Sequence, residues 1–233
     1  MTALARNVTS VAEKLELNGA SESFAADVIA GLTSTPKRLP PKYFYDHAGS
    51  ELFERITALP EYYPTRTETA ILTERAGDIA RLIPAGAALV EFGSGSSTKT
   101  RIVLREAKTL AAYVPVDISA DFLSQQADAL RTEFPGIAML PVAADFSQPF
   151  DLPNAVQSLP RAGFFPGSTI GNFEPPQATR LLAHFGRVLG AGATLIIGVD
   201  LVKEKAVLDA AYDDAAGVTA AFNRNLLVRM RSE

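Results

Sequence analysis

The 233-residue chain contains no cysteine, no tryptophan and only two histidines, His47 and His184. Without cysteine there is no disulfide framework, no thiolate zinc site and no thiol nucleophile. Two imidazoles are too few for a histidine-rich metal site, so no metal is expected. Also missing is any run of about 18 apolar residues, the length a membrane-spanning helix needs, so no membrane partner is expected. There is no excess of positive charge either. The 22 Lys and Arg against 26 Asp and Glu give a net charge of −4, which argues against a nucleic-acid partner, a local basic patch apart. The first 30 residues lack the basic start and apolar core of a secretory signal, and the expected location is cytoplasmic. What remains, 47% hydrophobic and 21% charged, suits one large globular domain or a domain with a small companion.

Prolines and tyrosines crowd the N-terminal quarter. Tyr43, Tyr45, Tyr62 and Tyr63 lie among Pro36, Pro40, Pro41, Pro60 and Pro64. Proline fixes φ and removes a donor, so this stretch is expected to be irregular and stiff, interrupted by a short helix over Ser50–Leu59 with Leu52, Phe53 and Ile56 on one face. An earlier helix is expected over Ser21–Leu32, with Phe24, Val28, Ile29 and Leu32 inward. Thr65-Arg66-Thr67-Glu68 has capping-box spacing ahead of Leu72, Ala76, Ile79 and Ile83.

Beyond this point strand-like and helix-like segments alternate. Strands are expected at Ala88–Phe92, Tyr113–Asp117, Ala138–Val142, Gly163–Pro166 and Thr194–Val199. Between them fall a helix from about Lys99 and another after Ser119, which can cap it, with Leu123, Ala127, Leu130 and Phe134 on one face. A third begins at Pro175 and Pro176 and buries Ala178, Leu181, Leu182, Phe185 and Leu189. Apolar strands alternating with amphipathic helices imply a doubly wound, Rossmann-like α/β fold with a mostly parallel sheet. Pro115 is the awkward residue, because it removes a ladder donor; a strand end or a bulge would accommodate it.

In such sheets ligands bind beyond the carboxyl ends of the strands. Four features sit there. Gly93-Ser94-Gly95 follows the first strand, with Lys99 close behind. It is half of a dinucleotide fingerprint, since Thr98 stands where the third glycine belongs, and a plain tight turn would explain it equally. Asp117, 22 residues after Gly95, is placed to accept the ribose hydroxyls of an adenosine or, alternatively, to cap a helix. Asp145-Phe146 suits an adenine ring, or is a loop acid beside a core ring. Gly167-Ser168-Thr169-Ile170-Gly171-Asn172 ends the fourth strand, where substrate must meet cofactor, although a helix cap would also use Asn172. S-adenosylmethionine and a nicotinamide both remain open as cofactors. Methyl transfer to an amine suits a chain so poor in Cys and His, because it asks for little acid–base machinery.

Longer strings narrow the choice. Pro40-Pro41-Lys42-Tyr43-Phe44-Tyr45-Asp46, Leu59 through Glu68, Val90 through Thr100, Gly167 through Asn172, Asp200-Leu201-Val202-Lys203 and Ala211 through Asn225 occur in order. In these the chain resembles the S-adenosylmethionine-dependent L-histidine Nα-methyltransferases of ergothioneine biosynthesis, which trimethylate the α-amine of histidine to hercynine. The resemblance implies a Rossmann-like class I methyltransferase with an incomplete second, substrate-binding domain. It implies an N-terminal helical and Tyr/Pro-rich part over 1–64, a cofactor domain over 65–200 and the start of the substrate domain over 201–233. It further implies that Tyr45, Gly93, Lys99, Asp117, Asp145 and Phe146 contact S-adenosyl-L-methionine. Tyr62, Gly167, Asn172 and Tyr212 are implied to contact a small amino-acid substrate, and no general base is assigned. Because the family continues past the position of Glu233, a shortened form is expected, and the residues that recognise the imidazole fall in that continuation. A cofactor-binding chain without activity, or a relative methylating another amino acid, is equally compatible with these strings.

Overall fold

Ala88–Phe92 forms β1, and all five of its residues are buried. A strand buried on both faces needs neighbours on both sides and helices above and below. β1 has them. A computed structural model describes residues 23–232 of the chain. In it β1 pairs in parallel with β2 (Ala112–Asp117) on one side and with β5 (Arg161–Phe165) on the other. The third strand of the sequence is split into β3 (Ala138–Met139) and β4 (Val142–Ala143), both paired with β2, and β6 (Thr194–Ile197) pairs with β5. The sheet order is therefore β3-β2-β1-β5-β6, with β4 also on β2. The chain winds outward from β1 in one direction, then crosses back to wind out in the other. The crossing point lies at the carboxyl ends of β1 and β5, where a ligand crevice belongs.

The period-2 alternation of strand side chains divides the core into two layers. Leu89, Tyr113, Ala162 and Phe164 face one layer with Leu72, Val103, Leu104 and Leu130. These come from α3 (Tyr63–Leu82), α4 (Thr98–Glu106) and α5 (Ala120–Glu133). Val90, Phe92, Val114, Val116 and Phe165 face the other with Leu181, Phe185 and Leu189 of α6 (Pro175–Leu189). Phe92 and Phe185 stack at 3.7 Å between ring centroids.

A third cluster stands beside the carboxyl edge. Residues 23–33 are helical (α1), Pro41–Phe44 is a 3-10 turn, and α2 spans His47–Thr57. The turn and α2 pack with α7 (Lys205–Tyr212) and α8 (Val218–Ser232) through Phe44, Tyr45, Phe53, Ile56, Tyr62, Ala211 and Phe222, and α1 joins them through Phe24 against Tyr43 and Leu226. Phe44 stacks on Phe222 at 5.0 Å, and Tyr45 meets the same ring edge-on at 5.6 Å. No helix among the described residues is long and apolar enough to cross a membrane.

Several expectations need correction. Pro115 sits inside β2, opposite Glu91, and not at an end or a bulge. Val116 O accepts from Gly93 on the β1 side, while Tyr113 O and Asp117 O accept from Leu140 and Ala144 on the other. By alternation the donorless face of Pro115 points at Leu140-Pro141, the gap between β3 and β4, so no ladder bond is lost. Helix α3 starts two residues before Thr65, with Pro64 in its first turn and no side-chain cap, so Glu68 is not a capping-box acid. Ser119 caps α5 without its hydroxyl; its backbone N–H donates to Asp117 instead. Ile29 and Leu182 are 66% and 39% exposed, so neither belongs to the core; His184 takes the inward place on α6. Ser21 of the first helix lies outside the described residues.

Candidate active site

The loop after β1 is built from backbone that only small residues tolerate. Gly93 has φ +78°, Gly95 φ +47° and Ser97, at the start of α4, φ +56°. A Cβ on Gly93 would stand 3.1 Å from the Phe146 ring, so glycine lets that ring close against the loop. Asp117 at the end of β2 clasps the loop. Its Oδ2 accepts from Gly95 N at 3.1 Å and its Oδ1 from Ser119 N at 3.1 Å. Each oxygen keeps a lone pair for a further donor. Asp145 follows β4. Its Oδ1 accepts from Ser147 N (2.9 Å) and Oγ (2.5 Å), and its Oδ2 from Lys42 Nζ at 3.0 Å. Burial works to raise its pKa, but these bonds and the Lys42 charge outweigh it and hold the carboxyl below its usual range. Beside it Phe146 packs edge-on against Phe165 at 5.7 Å.

Beneath the loop Glu91 is buried, with 1% of its surface exposed. It accepts from Thr100 Oγ1 at 2.5 Å and from the hydroxyl of Tyr113, tying α4 and β2 to β1. Burial pushes its pKa up to about 8, against the pull of those two donors.

Tyrosines form the opposite wall. Burial, then the nearby charge of Asp117, pushes Tyr45 up to about 12. Tyr62 is buried and lies edge-on to Tyr212 at 5.8 Å. Burial raises the pKa of both Tyr62 and Tyr212. All three phenols therefore stay protonated near neutrality and serve as hydrogen-bond donors. Tyr212 is half exposed, so the wall opens to solvent on its side.

At the junction of these two halves stands Glu68 of α3. Both its oxygens accept from Gly167 N (2.8 and 2.9 Å), and Oε2 pairs with Lys99 Nζ at 2.5 Å. A Cβ on Gly198 would meet Glu68 Oε1 at 1.9 Å, so this approach requires glycine there. Nearby, Asp200 accepts from Tyr63 and Lys203, and its backbone N donates to Ser168 Oγ at 2.9 Å.

The structure thus gathers the cofactor-side candidates at the carboxyl ends of β1, β2 and β4. Tyr45 comes near through the charge of Asp117, and Lys99 stands 3.6 Å from a Cβ position on Gly167. Asp117 clasps a loop and also meets the N–H that opens α5, so the two readings of it are not exclusive. Asn172 is not the cap of α6: Glu174 is, in a capping box with Gln177. Asn172 ends a 3-10 turn, exposed, and its amide makes no hydrogen bond among the described residues. His47 is exposed, and His184 is buried beside Phe150, so neither imidazole enters the site. Among the described residues no acid, His or Cys cluster is arranged to hold a metal. Sequence reasoning gave Glu68 only a capping role, and gave Lys42 and the group Tyr63, Asp200 and Lys203 no part in the site. The bonds that bring them together, Glu68 to Gly167, Lys42 to Asp145 and Tyr63 to Asp200, span about a hundred residues or more of chain, beyond any spacing rule.

A sheet wound in this order, with its functional loops collected at the crossing point, is the Rossmann-like α/β architecture of class I methyltransferases. The chain belongs to the family described as histidine-specific, S-adenosylmethionine-dependent methyltransferases, whose model matches residues 24–233. It is 46% identical over 232 residues to a histidine N-alpha-methyltransferase of Mycolicibacterium smegmatis, covering 96% of this chain and 70% of that one. A namesake from Mycobacterium tuberculosis is 44% identical, also over 96% of this chain and 70% of its own length. The ergothioneine biosynthesis protein 1 of Neurospora crassa is 33% identical over 195 residues, 82% of this chain and 22% of that protein. A solved putative S-adenosyl-L-methionine-dependent methyltransferase of Methanococcus maripaludis aligns at 15% identity with a TM-score of 0.48, covering 80% of this chain and 82% of that one.

Proposed function

We propose that the chain transfers methyl groups from S-adenosylmethionine to the α-amine of histidine, as the names of its relatives describe, and that it repeats the transfer on to the trimethylated product. The observation that carries this reading is the family match across residues 24–233, which contains every candidate site residue. The residues fit an adenosyl ligand. Ser94 Oγ in the glycine loop is buried without a hydrogen-bond partner, open space surrounds a Cβ position on Gly95, and both oxygens of Asp117 can accept again.

When bound, the cofactor supplies a sulfonium methyl that a neutral amine displaces in line. Asp117 would hold the ribose hydroxyls, Phe146 and Asp145 the adenine, and Lys99 the amino-acid carboxylate of the cofactor. On the substrate side the amide of Gly167 is already engaged by Glu68, so its carbonyl oxygen is the atom left to accept from an amine. Asn172 offers a free amide to the same group, and Tyr45, Tyr62 and Tyr212 offer hydroxyls that donate to a carboxylate. Phenols with raised pKa values stay protonated near neutrality and leave no phenolate to take a proton, so the amine proton leaves to solvent through the open side by Tyr212. The aromatic cluster of α2, α7 and α8 is then the part of the substrate domain that closes over the cofactor. Orientation of a near-attack pair, not proton transfer, is the contribution of the protein.

The test is incubation with L-histidine and methyl-labelled S-adenosylmethionine, with products read by mass spectrometry. Mono-, di- and trimethylated histidine are expected. A folded chain that binds cofactor and labels no histidine would overturn the reading in favour of a binding module.

A further inference from the structure

Among the partly buried charged groups of the described residues, Glu68 stands out by its set of partners. Its side chain is 17% exposed, and it joins four segments: α3, the α4 lysine Lys99, the loop at Gly167 and the backbone at Gly198. A carboxylate that only stabilised α3 would have no need of a bidentate grip on an amide 99 positions away. Nor would it require a glycine at 198 to let it approach. In the proposed function the partners belong to both sides of the reaction: Lys99 follows the glycine loop in the chain, on α4, and Gly167 begins the substrate loop.

We propose that Glu68 is a positioning residue that sets the cofactor half and the substrate half of the site relative to one another. Its negative charge fixes the Lys99 ammonium where a cofactor carboxylate arrives. Its acceptor function fixes the peptide plane of Gly167, aiming the carbonyl at the incoming amine. A free lysine side chain has four torsions to order on binding; an ion pair made in advance removes that cost. This rests on the function proposed above.

The two tasks can be separated chemically. In Glu68→Gln the amide oxygen still accepts from Gly167 N, but the charge that holds Lys99 is gone. Glu68→Ala loses both, and Gly198→Ala displaces the carboxylate sterically without altering it. By titration calorimetry, Glu68→Gln is expected to weaken S-adenosylmethionine binding about tenfold, the worth of one charge-assisted contact. Histidine binding, measured with S-adenosylhomocysteine saturating, is expected to stay within about twofold, since the neutral hydrogen bond survives. Glu68→Ala and Gly198→Ala should weaken both ligands. Equal weakening of both ligands by Glu68→Gln would overturn the inference, and so would tighter cofactor binding, which would make Glu68 a competitor for Lys99. Variants that melt lower yet bind both ligands like wild type would reduce Glu68 to a strut and overturn it too. Wild-type chain that bound neither ligand would overturn the methyltransferase reading itself and this inference with it; wild type that binds both, with no split among the variants, overturns the inference alone.

Discussion

Asp117 carries two loads that its position on β2 brings together. Its carboxylate clasps the glycine loop through Gly95 N, and in the proposed function its remaining lone pairs accept from the ribose of an adenosine. Asp117→Ala frees two partly buried amides, those of Gly95 and Ser119, and removes a charged acceptor for the ligand, the last worth roughly 1–3 kcal/mol. S-adenosylmethionine affinity by calorimetry should drop at least about tenfold, by the same arithmetic; equal affinities would remove Asp117 from the site. Glu91 acts through pH. Its folded pKa is raised by burial to about 8 from an ordinary 4.5. A carboxyl with a raised folded pKa contributes stability that is complete below the unfolded value and is lost as pH rises through the folded one. Between those two values the native state therefore weakens as pH rises, and above about 8 the loss is constant. Glu91→Gln imitates the protonated acid, keeping an acceptor for Thr100 and Tyr113. Melting curves should show the variant gaining on wild type from acid toward pH 8; a difference that does not change with pH would mean that Glu91 does not titrate in this range.

Helix α8 depends on one acid. Asp214, 6% exposed, accepts from Val218 N at 2.9 Å and Thr219 N at 2.7 Å, satisfying two of the first orphan donors of the helix. Burial opposes its ionisation, but these donors prevail and hold its pKa down at about 2. A depressed carboxyl gives stability that is present above its ordinary 3.8 and lost as pH falls toward that lower value. Asp214→Asn keeps one acceptor but sets an NH2 group against the other amide, and should cost about 1–3 kcal/mol near neutrality, the worth of a buried donor left unpaired. The deficit should shrink on acidification, which denaturant titration at two pH values would show. The same helix carries Phe222 beneath Phe44 and Tyr45, so loosening it also loosens the tyrosine wall. At this scale the elements were legible in the sequence wherever periodicity was strong. β1 runs from Ala88 to Phe92 as expected, and α6 begins at its two prolines. The caps were not legible, because Thr65-Arg66-Thr67-Glu68 and Asp117-Ile118-Ser119 satisfy a local pattern while their side chains answer to distant partners. The split of the third strand falls at Leu140-Pro141, alongside Pro115 of β2, so that two prolines that each lack a ladder donor lie side by side, a pairing that only the register reveals.

For the whole molecule, chain order and sheet order explain why the site assembles where it does. Winding outward from β1 twice puts the ends of β1, β2, β4 and β5 along one edge, so four short motifs far apart in sequence converge without any of them specifying the others. That convergence could be read from strand spacing and the rule for open α/β sheets. The connection between the halves, through Glu68, could not, since it is a contact between a helix start and a loop 99 residues later. The same edge distinguishes the two cofactors that the glycine loop alone left open. Thr98, in the place of a third glycine, is the first residue of α4, and the cofactor-side groups are suited to an adenosyl moiety with an amino-acid tail: an acid for ribose, an acid and ring for adenine, and Lys99 for a carboxylate. A ligand that binds only the folded chain raises its melting temperature by mass action. At a hundred times its Kd that is about 2.7 kcal/mol, or a shift of about 5–10 °C for a chain of this length. S-adenosylmethionine should produce this shift in a thermal melt, Asp117→Ala should lose about half of it or more at the same concentration, as a tenfold or greater loss of affinity requires, and NADH should produce none. A shift with NADH and none with S-adenosylmethionine would assign the edge to a nicotinamide instead, because only the ligand whose groups meet these partners can gain enough on binding to be seen.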